Sequence, residues 1–248
     1  MVLTRRRTHH EDQPGAQHRP VDAQPDTYER WRQTRLGSIT QSHEVDVVFD
    51  LAGPLTSLRL LDVGCGDGLY LVEAARRGAV ASGVDISEAM LAAARQRADD
   101  ADVAADLHLG DAQTLPFDDG SFDLVLAITV LCFLPDAQQA IDEMSRVLVP
   151  GGRLVIGDLG RWNSWAAVRR VRGWLGSNTW RHATFRSAGQ LVIMINDAGL
   201  QADEIRGAVY YPPLGILARA IAPIESHLGA VTTLGAAFLA VSASKPVH

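Results

Sequence analysis

Lysine is almost missing from this chain: of 23 basic residues only Lys245 is lysine, and it lies near the end of the sequence. No Gly-Lys-Ser/Thr loop can cradle a triphosphate, and no lysine is placed to form a buried Schiff base. Kinase-like, ATPase-like and pyridoxal-phosphate chemistry drop out. A biased gene base composition accounts for the shortage without a functional cause. Cysteine is scarce as well. Cys65 and Cys132 are far apart and form no metal or disulfide pattern, which suits a reducing compartment, so a cytoplasmic location is expected. Long apolar runs are absent; none reaches the ~18 residues that span a bilayer. Positive charge is in deficit. The net charge of −6 argues against a general nucleic-acid binder held by phosphate contacts.

What is present suffices for a sizeable core. The chain has 248 residues, 47% of them hydrophobic, enough for one large domain or two small ones. Residues 1–25 are polar. Arg5 to Arg7 are not followed by an apolar stretch, so the segment is no secretory signal and is expected to be a disordered tail. His9–His10, a pair without partners, makes no metal site. Residues 26–56 read as an N-terminal helical cap with Trp31, Val45, Val48, Phe49 and Leu51 as apolar anchors, ended by Gly53-Pro54.

Residues 57–248 form the main domain, in which strands and helices alternate. Leu58–Val63 reads as a strand, Asp67–Arg77 as a helix, Val80–Val84 as a strand, and Ser87 as the cap of a helix reaching Asp100. Ala104–Leu109, Phe122–Ile128 and Arg153–Gly157 are further strands, with a helix over Asp136–Leu148. Continuous apolar strands separated by helices indicate a mostly parallel sheet covered on both faces. In such a doubly wound sheet the ligand lies beyond the carboxyl ends of the strands. Toward the end, helices are expected over Asn163–Leu175, carrying the stripe Trp165, Val168, Val171 and Leu175, over Ser187–Ala198 and over Leu214–Leu228, and a last strand over Ala236–Ala243.

The first strand runs into "LLDVGCGDG". Gly64, Gly66 and Gly68 form GxGxG rather than the dinucleotide fingerprint GxGxxG, whose last glycine is replaced by Leu69. Asp62 stands inside the end of the strand. A carboxylate there repels a pyrophosphate in a low-dielectric site and tolerates a phosphate-free ligand with a cationic amine. The glycines permit a sharp turn and close approach of the backbone to the ligand. "GVDIS" puts Asp85 at the end of the second strand, 21 residues after Gly64, where it can accept from both hydroxyls of a ribose. The competing reading, an Asp capping the next helix, is weakened because Ser87 already supplies a cap. "GDAQTLPF" puts Asp111 after the third strand, able to accept from an adenine amino group or simply to initiate a turn.

With "SFDLVLAITVL" and "RVLVPGGRLVIGD", these motifs occur in the order and at the spacings of class I S-adenosylmethionine-dependent methyltransferases. From about Tyr28 to Leu200 the chain resembles that family, most nearly its small-molecule branch related to quinone biosynthesis. The resemblance implies an α/β, Rossmann-like, seven-stranded sheet with helices on both faces and helical lid insertions at about 160–185 and 210–232. It implies S-adenosyl-L-methionine as cofactor and in-line transfer of its methyl group to a small-molecule acceptor, with no metal. By the same resemblance Gly64, Cys65, Gly66 and Gly68 line the methionine part of the cofactor, Asp85 holds the ribose, and Ile86 and Met90 pack on adenine. Asp111 and the backbone of Ala112 read the adenine edge, and Ile128 sits beside the sulfonium. One departure stands out. Many relatives carry a polar residue around Cys132, where "VLCFL" is wholly apolar, which leaves a base from that position in doubt. Cys132 itself reads as a buried small hydrophobe rather than a reactive thiol.

A sulfonium methyl is already activated, so alignment and exclusion of water matter most. A base is needed only for an acceptor that must shed a proton. His182 and His227 are the nearest candidates, and both also read as surface histidines. Acceptor choice is expected in three segments. Tyr28 and Trp31 either close over the cofactor or staple the cap to the core. Trp162, Trp165, Trp174 and Trp180, with Arg169, Arg170 and Arg172, form either an aromatic pocket with a cationic rim or an amphipathic helix with a solvated arginine face. Tyr210 and Tyr211, before two prolines, suggest a rigid entrance to a lid helix. The alternatives to a methyltransferase are a non-catalytic cofactor-binding regulator and an NAD-dependent oxidoreductase. The acidic charge disfavours a tRNA substrate.

Overall fold

A computed structural model describes residues 25–213 and 225–247. The segment expected to be a tail lies almost entirely outside them, as does Leu214–Ile224 of the expected lid helix. The N-terminal pattern gives two helices instead of one, α1 (Pro25–Gln33) and α2 (Arg35–Ala52). Thr34 separates them. Its backbone is extended, and its hydroxyl donates to Trp31 O at 2.7 Å and accepts from Gly37 N at 3.0 Å. One side chain thus closes the first helix and caps the second.

The alternating region follows as β1 (Arg59–Val63), α3 (Leu69–Arg76), β2 (Val80–Asp85), α4 (Glu88–Asp100), β3 (Asp106–Leu109) and β4 (Phe122–Ile128). A short 3-10 turn at Leu131–Phe133 leads to α5 (Ala137–Val147) and β5 (Leu148–Leu159). The last third holds α6 (Ser164–Trp174), α7 (Asn178–Arg181), α8 (Ala188–Asp197), β6 (Gln201–Ala208), α9 (Glu225–Val231) and β7 (Phe238–Ser244). Ser87 caps α4 by accepting from Met90 N, and Ser187 with Gln190 forms a full capping box on α8. The sole lysine is structural. Lys245 Nζ donates to Ser145 O and Leu148 O, satisfying carbonyls at the end of α5.

The seven strands form one sheet in the order β3-β2-β1-β4-β5-β7-β6, parallel except for β7, which runs antiparallel to both its neighbours. Strand order reverses between β1 and β4, which makes the crevice at their carboxyl ends the natural ligand site. The inner strands β1, β4 and β7 are mostly apolar because alternate residues face two separate cores, whereas the edge strands β3 and β6 carry polar residues. Leu60, Leu124, Leu126, Val155 and Phe238 pack under Val47, Val48, Phe49 and Leu51 of α2. Leu61, Val125, Leu154, Ile156 and Val241 pack against α5 and α8 through Ile141, Met144, Leu191 and Ile195. Each such buried leucine or isoleucine contributes about 1.5–3 kcal/mol.

The α6 helix lies where the sequence places it, with most of its apolar stripe on the outside. Of the expected stripe Trp165, Val168, Val171 and Leu175, only Trp165 is buried, and Val168, Val171 and Leu175 face outward. Trp165 is held from within, Nε1 donating to Tyr211 O at 2.8 Å. Tyr211 is no entrance residue: it is wholly buried, its hydroxyl 3.0 Å from that of Thr40.

Candidate functional site

The turn after β1 is built from hydrogen bonds that leave its backbone facing a cleft. Gly64 N and Cys65 N both donate to Val84 O, at 2.7 and 3.1 Å, so the turn folds over the end of β2. Gly66 N donates to Asp85 Oδ2 and Ser87 N to Asp85 Oδ1, each at 2.9 Å. Asp85 therefore ties the glycine turn to the start of α4. Gly66 has φ +54° with no atom within 4 Å of where a Cβ would stand; the space beside it belongs to the cleft. Gly68, also left-handed, serves packing instead, since a Cβ there would lie 2.9 Å from Ala94 Cβ of α4. The first position lets a ligand approach, and the second lets two helices approach.

The cleft has a volume of about 240 Å³ and opens at the switch point. Asp62, Gly64, Cys65, Gly66, Asp85, Ile86, Met90, Asp111, Ala112 and Ile128 all line it, whereas Gly68 does not. Asp111 Oδ1 accepts from Gln113 N at 2.9 Å, the turn-initiating bond, while the residue still borders the cleft. Asp62 is the outlier. It is 2% exposed, and its Oδ2 has no hydrogen-bond partner. Burial, then the charge of Asp85, push its carboxyl from 3.8 up to about 7, against a lowering bond from Leu71 N–H. Burial also raises Asp85 above the usual carboxylate range, opposed by the N–H groups of Ser87, Gly66 and Ile86. The Cys65 thiol is pushed up by burial and by these two acids, so it is a wall and not a nucleophile.

Further residues join the cleft, among them Trp31, one of the two residues expected either to close over the cofactor or to staple the cap. Trp31, Arg32, Gln41 and Glu44 come from α1 and α2, and Thr129, Val130 and Phe133 from the end of β4 and beyond. Glu44 is half-buried, and desolvation pushes its carboxyl up to about 7, opposed by the charge of Arg169. Arg32 and Arg97 both pair with Asp67 of the glycine turn, and both also hold Glu29 of α1. The bond from Arg97, foremost, keeps the Glu29 carboxyl below 4.5. This four-charge network pins α1 to the turn and to α4. Thr129 has φ +53°, costly for a β-branched residue, and sits at the tip of β4 against the cleft.

The other candidates stand elsewhere. His182 and His227 are exposed, and neither lines the cleft. Cys132 is fully buried with its thiol pushed up, its Sγ 3.5 Å from Thr129 O. Trp162 and Trp174 are exposed, Trp165 is buried, and Trp180 stacks on Phe185 and meets Phe133 at a tilt. Among the described residues no cluster of His, Cys, Asp and Glu could hold a metal ion, and no helix is long and apolar enough to cross a membrane.

Doubly wound topology, a glycine turn at the switch point and acids at successive strand tips define a nucleoside-binding α/β protein. A methyltransferase domain model matches residues 61–156. The ubiquinone biosynthesis O-methyltransferase of Idiomarina loihiensis is 32% identical over 165 residues, covering 64% of this chain and 68% of that protein. Among solved structures, an S-adenosylmethionine-dependent methyltransferase of Thermotoga maritima aligns with TM-score 0.66 at 24% identity, over 89% of this chain and 95% of that one. Magnesium protoporphyrin IX methyltransferase of Synechocystis, solved with bound S-adenosylhomocysteine, gives 0.63 at 19%, over 90% and 95%. The chain belongs to the class I S-adenosylmethionine-dependent methyltransferases, on the branch that methylates small molecules.

Proposed function

We propose that the cleft holds S-adenosylmethionine through the acids at the strand tips and presents it to a hydroxylated small molecule for oxygen methylation. The observation that carries this reading is Asp62 Oδ2, a buried acceptor without a donor in a cleft that its neighbours leave acidic. A cationic amine is the group that such an oxygen lacks. The open space beside Gly66 Cα fits the close passage of a ligand chain. Bound there, the cofactor supplies a methyl group already activated by its sulfonium.

The residues of this chain do the rest. Asp62 holds the amine. Asp85, with one bond already made to each oxygen, keeps lone pairs for the ribose hydroxyls. Ile86 and Met90 enclose the base, Asp111 and the Ala112 backbone read its edge, and Gly64, Cys65 and Gly66 border the amino-acid chain. Ile128 with Thr129 forms the wall beside the reacting carbon. Glu44 is the acceptor-side residue: a carboxyl near pH 7 matches what a base needs to take a proton from a hydroxyl at neutral pH. Oxygen as the methylated atom follows the ubiquinone biosynthesis O-methyltransferases, whose names state that chemistry. Two buried free thiols suit a reducing environment, and we assign the enzyme to the cytoplasm.

Thermal denaturation tests the cofactor assignment. S-adenosylhomocysteine at a hundred times its dissociation constant stabilises by about 2.7 kcal/mol, a rise in Tm of roughly 5–10 °C for a chain of this size. NAD should leave Tm unchanged. Stabilisation by NAD and not by S-adenosylhomocysteine overturns the reading. Incubation of cell extract with labelled cofactor, followed by mass spectrometry, then identifies the acceptor and the atom that gains the methyl.

A further inference from the structure

We infer that the outward face of α6 is a docking surface for an anionic lipid bilayer. Around this helix the buried side is Trp165, Ala166 and Gly173, and the opposite side carries Val168, Val171, Trp174 and Leu175. Trp174 is 93% exposed and Leu175 81%, so the helix turns large apolar side chains as well as its charges to water. Arg170 and Arg172 flank this apolar strip on its two sides, and Trp162 stands exposed just before the helix. An apolar strip bordered by arginines and carrying tryptophan is the composition of a helix lying in a membrane interface, where the rings settle at headgroup depth and the guanidinium groups reach phosphates.

Charge points the same way. Between Leu159 and Asn196 there are six arginines and no Asp or Glu, in a chain of net charge −6. Arg161, Arg170, Arg172 and Arg181 form no ion pair among the described residues. Arg161, Arg170 and Arg181 also border a groove of about 700 Å³ that holds Trp180 and Phe185, a place for a headgroup phosphate beside the strip. The platform is firm: Asn163 caps the helix by accepting from Ala166 N, and a Cβ on Gly173 would meet Trp180 O at 2.8 Å. A second copy of the chain fits poorly, because a two-fold contact would set these arginines against themselves.

Co-sedimentation with extruded vesicles tests this, comparing phosphatidylcholine alone with phosphatidylcholine mixed with phosphatidylglycerol. The protein should bind the mixed vesicles, lose binding as salt rises, and show a blue-shifted tryptophan emission when bound. Arg170→Gln and Arg172→Gln should each weaken binding about five-fold, and Trp174→Ser with Leu175→Ser should abolish the shift. All four side chains are exposed, so an unchanged urea midpoint confirms that the variants fold. Absence of binding, equal binding to both vesicle types, or variants that bind like the parent overturns the proposal. A concentration-dependent dimer that Trp174→Ser dissociates, without vesicle binding, assigns the face to a second copy instead.

Discussion

Replacement of Asp62 by asparagine should raise stability and lower affinity at once. The side chain lies in β1, in register with Gly83 of β2 and Leu126 of β4, so water does not reach it from the sheet. Its rise from 3.8 to about 7 disfavours the charged form by about 4 kcal/mol at 1.36 kcal/mol per pH unit. The native value lies above the unfolded one, so the native state binds the proton more tightly. Stability therefore falls as pH climbs from about 4 to about 7, and the whole penalty is present above that window. An asparagine at this position does not ionise, and its carbonyl still accepts from Leu71 N–H. Urea unfolding at about pH 8 should find Asp62→Asn more stable by up to about 4 kcal/mol, with the difference vanishing near pH 4. Affinity moves the other way. A charge-assisted bond to an amine contributes about 1.5–3 kcal/mol, so the Kd for S-adenosylhomocysteine should rise roughly 10- to 100-fold by calorimetry. A variant that binds the ligand as tightly as the parent, or whose stability gain does not depend on pH, refutes the reasoning.

Gly66→Ala should fold with a penalty of about 1–2 kcal/mol from its left-handed backbone yet lose S-adenosylhomocysteine binding, because the new methyl enters the cleft. Gly68→Ala should instead unfold at markedly lower urea, from the clash with Ala94. Asp85→Ala removes the acceptor of two backbone N–H groups and of the ribose; near-normal calorimetric affinity in that variant would rule out its assigned role. Glu44→Gln should leave S-adenosylhomocysteine affinity unchanged while methyl transfer to the acceptor recovered from extract slows and loses the limb of its pH–rate profile near 7. A profile identical to the parent's removes Glu44 as the base.

The parts of the site legible in sequence are those where backbone geometry demands a particular residue. Gly64 and Gly66 announce a turn, Asp85 ends the second strand, and Asp111 lies just past the third. Glu44 carried no such mark. It is one acid on a helix, and its meaning arises only because α2 packs across the sheet and brings that turn of the helix to the cleft. The direction of α6 was equally hidden. A stripe at helical spacing shows that a helix has an apolar side but not whether that side faces inward, and Trp165 alone took the inner place. Thr34, read as one position within a continuous helix, has a hydroxyl that finds both Trp31 O and Gly37 N, and that local competition breaks the helix. The four-charge network around Asp67 joins residues from three segments, each ordinary when taken alone.

The antiparallel strand β7 sits between β5 and β6, yet it leaves the ribosome after both. While it is still being synthesised, β6 has no neighbour to pair with and one edge of β5 stays open. The strands bearing the glycine turn and the acids, β1 to β4, have all their partners by the time β5 emerges. The nucleoside half of the enzyme can thus condense first during translation, and closure of the other half awaits a single late strand.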